Sequence, residues 1–140
     1  MAAARLGYPP GMSARNEPVV LLVDDDPVIT RLLEVNFRQV GYRIGTVSRG
    51  DAALERMQAR PPDAVVLDVM LPGLGGYEVC RQMRQIPSLA EIPVIFLSAR
   101  PEDEQPTDPE LGPIDHMSKP FEPAELVELV RRRVTERGDP

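Results

Sequence analysis

The sequence contains no tryptophan, one cysteine and one histidine, and aromatic residues make up only 4% of its 140 positions. Any core must therefore come from Val, Leu, Ile and Met. The lone Cys80 excludes an internal disulfide, which agrees with a reducing compartment, and it reads as a small core residue on a helix. Basic side chains are also scarce: 16 Lys and Arg face 22 Asp and Glu, giving a net charge of −6 and a pI near 4.8. That balance argues against direct nucleic-acid binding, which draws on basic patches to displace counterions. It suits docking on basic protein surfaces or collecting divalent cations. Arg131 to Arg133 with Arg137 read as a solvated helix face. No apolar run approaches the roughly 20 residues of a membrane span, and the first 18 residues lack a signal-peptide core. The expectation is a soluble, cytoplasmic chain with no membrane partner, of a length that suits one domain.

What is present is an alternation. Residues 1–18 read as a disordered leader. Val19 to Val23 is a continuous apolar run stopped by Asp24, Asp25 and Asp26, as in a strand buried on both faces. Asp26 and Pro27 read as an N-cap and first helical residue. Ile29, Leu32, Leu33, Asn36, Phe37 and Val40 follow at helical spacing, and Gly41 ends the helix. The pattern repeats with a half-polar strand at 42–47, a helix at 51–59, an apolar strand AVVLD at 64–68 and a glycine-rich turn at 73–76. A helix at 77–85, a strand PVIFLS at 93–98, a weak strand at 114–117 and a helix at 123–136 complete it, before a tail at 137–140. The helix over 123–136 would turn Leu126, Leu129, Val130 and Val134 inward. Alternating elements of this kind predict an α/β domain over 19–136, a doubly wound five-stranded parallel sheet.

In such a sheet, ligands bind beyond the carboxyl ends of the strands. Asp24 to Asp26 follow the first strand, Asp68 ends the third, Ser98 ends the fourth, and Lys119 follows the fifth. Three carboxylates gathered there would repel one another by roughly 1–4 kcal/mol per pair. They call for a hard cation on oxygen ligands with open positions, which favours Mg²⁺. A carboxylate can act as a nucleophile to form an acyl phosphate. The hydroxyl and ammonium would then hold the phosphoryl oxygens.

The segments VVLLVDDDP, AVVLDVMLPGLGG, PVIFLSA and MSKPF, in this order and at these intervals, resemble the response-regulator receiver domains, from about Val19 to Val134. The resemblance implies a flavodoxin-like receiver fold and a phosphorylation switch of a two-component phosphorelay. Asp68 would be the phosphoacceptor. Asp24, Asp25, Asp68 and the backbone carbonyl of Met70 would bind Mg²⁺. Ser98 and Lys119 would bind the phosphoryl group, and the Lys119–Pro120 peptide would be cis. His116 falls where the family usually carries an aromatic switch residue, and Gly75 stands where an aspartate is frequent before the glycine, here Gly76. The partners implied are a histidine kinase or phosphotransfer protein as donor, and a downstream effector or an output domain absent from this sequence. Catalysis would be limited to self-phosphorylation and autodephosphorylation.

The family's fourth helix should occupy residues 100–113, but this stretch carries Pro101, Pro106, Pro109 and Pro113. An interior proline costs a helix about 3 kcal/mol, so this helix is expected to be short, broken or disordered. That departure and His116 motivate a second reading, a non-phosphorylated receiver-like interaction module. An aspartyl phosphatase of the haloacid-dehalogenase kind would need a second acid where Met70 stands. A flavin or nucleotide site would place its phosphate against three carboxylates rather than backbone N–H groups.

Overall fold

The computed structural model describes residues 17–99 and 109–138. Five parallel strands form one sheet in the order β2-β1-β3-β4-β5: β1 Val19–Val23, β2 Arg43–Val47, β3 Ala64–Asp68, β4 Val94–Ser98 and β5 Ile114–Ser118. Four α-helices accompany them: α1 Pro27–Gln39, α2 Gly50–Ala59, α3 Gly76–Arg84 and α4 Pro123–Gly138. This is the doubly wound, flavodoxin-like arrangement expected from the alternation. The continuous apolar runs β1, β3 and β4 are the interior strands, because both of their faces must be covered. The half-polar β2 and β5 take the two edges.

Two cores flank the sheet. Leu21, Val23, Leu67 and Phe96 pack with α2 and α3 on one face. Val20, Leu22, Val66 and Leu97 pack with α1 and α4 on the other. Asp26 caps α1 by accepting the Val28 N–H at 2.9 Å, Pro27 opens the helix, and Gly41, at φ +88°, turns the chain out of it. Only Leu33 and Phe37 of α1 are fully buried. Leu32 and Val40, which the periodicity turns inward, lie exposed, so the stripe of α1 facing the core is narrower than its apolar pattern. Helix α4 buries Leu126, Val127 and Val130, while Leu129 and Val134 are partly covered.

Residues 1–16 of the leader expected at 1–18, and residues 100–108 of the fourth-helix defect expected over 100–113, lie outside the described residues. Within them, a single 3-10 turn, Pro109–Leu111, precedes β5. Arg84 fastens it. Its guanidinium donates to the carbonyls of Leu111 at 2.7 Å, Pro113 at 3.0 Å and Ile92 at 2.7 Å, with longer bonds to Leu89 and Ala90. The buried Cys80 thiol donates to the same Leu111 carbonyl at 3.3 Å, and burial pushes that thiol up to about 11. Cys80 is thus the core residue its composition suggested, with little thiolate character at neutral pH.

Candidate functional site

Strand register decides which side chains meet. Val23 of β1 pairs with Leu67 of β3, so Asp24 and Asp68, the next residues of each strand, emerge side by side. Asp68 in turn pairs with Leu97 of β4, and Ser98 with Ser118 of β5. The Lys119 N–H then donates to the Ser98 carbonyl at 2.9 Å, carrying the chain to the same edge. The Lys119–Pro120 peptide is cis, as the resemblance implied.

At that edge the carboxylates of Asp24, Asp25 and Asp68 each place an oxygen within 4.8 Å of the others. Asp24 and Asp68 are buried and Asp25 is exposed. Lys119 Nζ donates to Asp24 Oδ2 at 3.0 Å and to Asp68 Oδ2 at 3.1 Å. The second oxygens are occupied as well: Asp24 Oδ1 accepts the Asp26 N–H at 2.9 Å, and Asp68 Oδ1 accepts the Met70 N–H at 3.0 Å. Burial raises the Asp68 carboxyl above its ordinary value and the nearby Asp24 charge adds to this, against the lowering effects of the Met70 N–H and Lys119. Burial alone would lower Lys119, but hydrogen bonds and charge from Asp24 and Asp68 hold it above the usual lysine value. Three carboxylates against one ammonium leave the cluster net negative. All of its acidic donors are oxygens and one acid faces solvent, a set that fits a hard divalent cation such as Mg²⁺.

The loop after Asp68 is shaped around this edge. A Cβ on Gly76 would come within 2.4 Å of the Asp68 carbonyl oxygen, whereas one on Gly75 would meet nothing closer than 3.9 Å. The first turn of α3 therefore reaches the loop after Asp68 only with glycine at 76, and a side chain at 75 is open to choice.

Asp24, Asp25, Asp68, Lys119 and the Met70 amide are thus brought together, and Ser98 is buried at the adjacent strand end. His116 points elsewhere. Its ring stacks on Phe96 at a centroid distance of 5.2 Å, and Nε2 lies 3.2 Å from the Tyr77 hydroxyl. Burial lowers its pKa, against a raising effect of Asp115. Tyr77 was not foreseen as a partner, because nothing in a helical period indicates what a hydroxyl will touch. One arginine was misread: Arg133 leaves the solvated face of α4 to grip both Asp115 oxygens, at 2.8 and 2.9 Å. The geometry matches a planar guanidinium to a carboxylate in two parallel bonds.

A family model described as the response regulator receiver domain matches residues 20–131. The phosphate regulon transcriptional regulatory protein PhoB of Rhizobium meliloti is 39% identical over 115 residues, 81% of this chain and 51% of that protein. The alkaline phosphatase synthesis transcriptional regulatory protein PhoP of Bacillus subtilis is 42% identical over 118 residues, 81% of this chain and 48% of that protein. The chain thus spans about half the length of the curated relatives it matches. Among solved structures, a response regulator from Chloroflexus aurantiacus superposes with a TM-score of 0.75 at 34% identity, covering 86% of this chain and 99% of that one. The receiver domain of a Pseudomonas aeruginosa sensor histidine kinase, described with a magnesium ion coordinated in its active-site cleft, gives a TM-score of 0.74 at 32% identity. That match covers 85% of this chain and 98% of the other.

Proposed function

The chain belongs to the response-regulator receiver domains, the phosphorylation-dependent switches of two-component signalling, and from that premise we propose that Asp68 is its phosphoryl acceptor. The observation that carries this reading is the Lys119 ammonium, which bridges Asp68 and Asp24 while Asp25 stands within the same 4.8 Å cluster. Asp24, Asp25, Asp68 and the Met70 carbonyl would hold Mg²⁺, which when bound neutralises charge on carboxylate and phosphoryl oxygens.

The residues of the chain supply the rest. An Asp68 oxygen attacks phosphorus as the bond to the donor nitrogen breaks, giving an acyl phosphate. Lys119 turns from the carboxylates to a phosphoryl oxygen, and the Ser98 hydroxyl takes another. Hydrolysis returns the carboxylate and releases inorganic phosphate. These steps make the domain a self-modifying switch and not a turnover enzyme. Its donor is a histidine kinase or phosphotransfer protein, and its target is an effector protein or an output domain outside this sequence. The setting is the cytoplasm, without direct contact to nucleic acid or membrane. Among the described residues, no helix is long and apolar enough to cross a bilayer.

Incubation with acetyl phosphate tests the reading. The expected result is Mg²⁺-dependent labelling of the wild type that hydroxylamine reverses and Asp68→Ala abolishes. Absence of labelling in the wild type, with the protein folded and Mg²⁺ present, would leave only the interaction-module reading.

A further inference from the structure

At the opposite end of the sheet from Asp68, the start of β2 and the end of α2 enclose a cleft of about 510 Å³. Arg43, Arg56 and Arg60 line it together with Glu17 and Asp63. Three arginines against two acids give this cleft a net positive charge in a chain of net charge −6. Arg31, Arg49, Arg81, Arg131 and Arg133 each sit within 4.0 Å of a carboxylate. Among the described residues, Arg43, Arg56 and Arg60 have no such partner; Arg38, Arg84, Arg132 and Arg137 also lack one but do not line this cleft.

The two acids of the cleft do not change this. Asp63 is engaged by the Val19 N–H at 2.7 Å, and Glu17 forms no ion pair with the three arginines. Arg56 uses Nη1 to donate to the Arg60 carbonyl at 3.1 Å, which secures the end of α2, and this leaves most of its five N–H donors available. The backbone makes room for it: a Cβ on Gly45 would lie 2.9 Å from Arg56 Nη2. The absence of that one carbon lets the guanidinium rest against the edge strand.

Several guanidinium groups around a cleft match multiply charged phosphates, whose oxygens accept paired N–H bonds. Clefts of several hundred Å³ are of ligand size. We propose that this cleft binds a small soluble anion carrying two or more phosphate groups through Arg43, Arg56 and Arg60. The site is separate from the acid cluster, since β1, β2 and β3 begin here and deliver Asp24 and Asp68 at their other ends.

The test is an NMR titration of the full chain with pyrophosphate, and in parallel with ATP, in Mg²⁺-free buffer at near-physiological salt. Saturable shifts are expected at Arg43, Gly45, Arg60 and Asp63, with the amides of Asp68 and Lys119 unmoved. Arg43→Gln and Arg56→Gln should each weaken binding about tenfold, the equivalent of one charge-assisted hydrogen bond. Both variants should keep wild-type labelling of Asp68 by acetyl phosphate, which shows that they fold. Shifts that do not saturate, or an affinity unchanged by Arg43→Gln and Arg56→Gln, would reveal diffuse attraction and overturn the proposal. Binding to phosphatidylglycerol vesicles without binding to pyrophosphate would equally overturn it.

Discussion

Lys119 and Asp68 stand 51 positions apart, yet the fold brings ammonium and carboxylate to 3.1 Å. Because the same ammonium lies 3.0 Å from Asp24, Lys119 occupies carboxylate oxygens that a divalent cation also needs. Replacing it should separate two effects. Lys119→Met is expected to bind Mg²⁺ more tightly, since the competing charge is gone, and to accept phosphate from acetyl phosphate roughly 10- to 100-fold more slowly, for want of one charge-assisted bond in the transition state. Calorimetric Mg²⁺ titration and labelling kinetics measure the two. A rate equal to wild type would remove Lys119 from the phosphoryl-binding role.

The raised pKa of Asp68 carries a stability consequence. Burial and the Asp24 charge disfavour its ionised form in the folded state, so the folded chain holds a proton there more firmly than the unfolded chain does. Its contribution is fully present below the ordinary carboxylate value of 3.8 and is lost as pH rises through the folded value. At neutral pH without Mg²⁺ the ionised carboxylate therefore strains the fold. Asp68→Asn should be more stable than wild type at pH 7 without Mg²⁺, and this advantage should vanish as the pH falls towards that ordinary value. Urea unfolding at several pH values provides the comparison, and a gain that grows on acidification would contradict it.

Gly76 and Gly75 form a paired test of the acceptor loop. The 2.4 Å approach at Gly76 is to backbone and cannot be relieved by turning a side chain. Gly76→Ala should cost about 2 kcal/mol and slow Asp68 labelling, because the Asp68 carbonyl must shift. Gly75→Ala should leave both close to wild type. Equal effects of the two substitutions in thermal melts would mean that helix propensity, not this contact, governs the turn.

These residues also show what the sequence could reveal. The buried strands were legible because β1, β3 and β4 are covered on both faces and so are written as unbroken apolar runs, each followed by its polar residue. Parallel register then fixes Asp24 beside Asp68 without further information. The Tyr77–His116 and Arg133–Asp115 contacts were not legible, since they depend on the reach of side chains across elements that no period encodes. The narrow buried stripe of α1 escaped for a related reason: apolar residues at helical spacing say which face is apolar, not how much of it the sheet covers.

Arg84 illustrates the same limit and makes a strong stability prediction. Five carbonyl groups from the α3–β4 connection and the turn before β5 converge on one guanidinium, and Gly112, at φ +68°, packs against it. Removing it orphans several acceptors at once. Arg84→Met should destabilise the chain by about 2–4 kcal/mol, and Arg84→Lys should recover little, because a compact ammonium cannot span a planar fork of acceptors. Full recovery by lysine in chemical denaturation would show that charge alone matters.

The exposed apolar side of α1 bears on the phosphodonor. Val28, Leu32 and Val35 are 73%, 42% and 43% exposed, and their spacing of four and three residues sets them on one helical face. Helix α1 begins directly after Asp25 and Asp26, which sets Val28, at one end of this face, within one helical turn of the acid cluster. A protein donor that inserts a phosphorylated side chain there must cover it, whereas a small donor need not. Leu32→Asp should therefore slow transfer from a phosphorylated histidine phosphotransfer protein that labels the wild type by about tenfold or more, the loss expected when a charge replaces an apolar contact in an interface core. Labelling by acetyl phosphate and the urea midpoint should stay at wild-type values, since Leu32 contributes little to the core. If the two donors slowed together, the substitution would be acting through the fold, and α1 would have no part in docking.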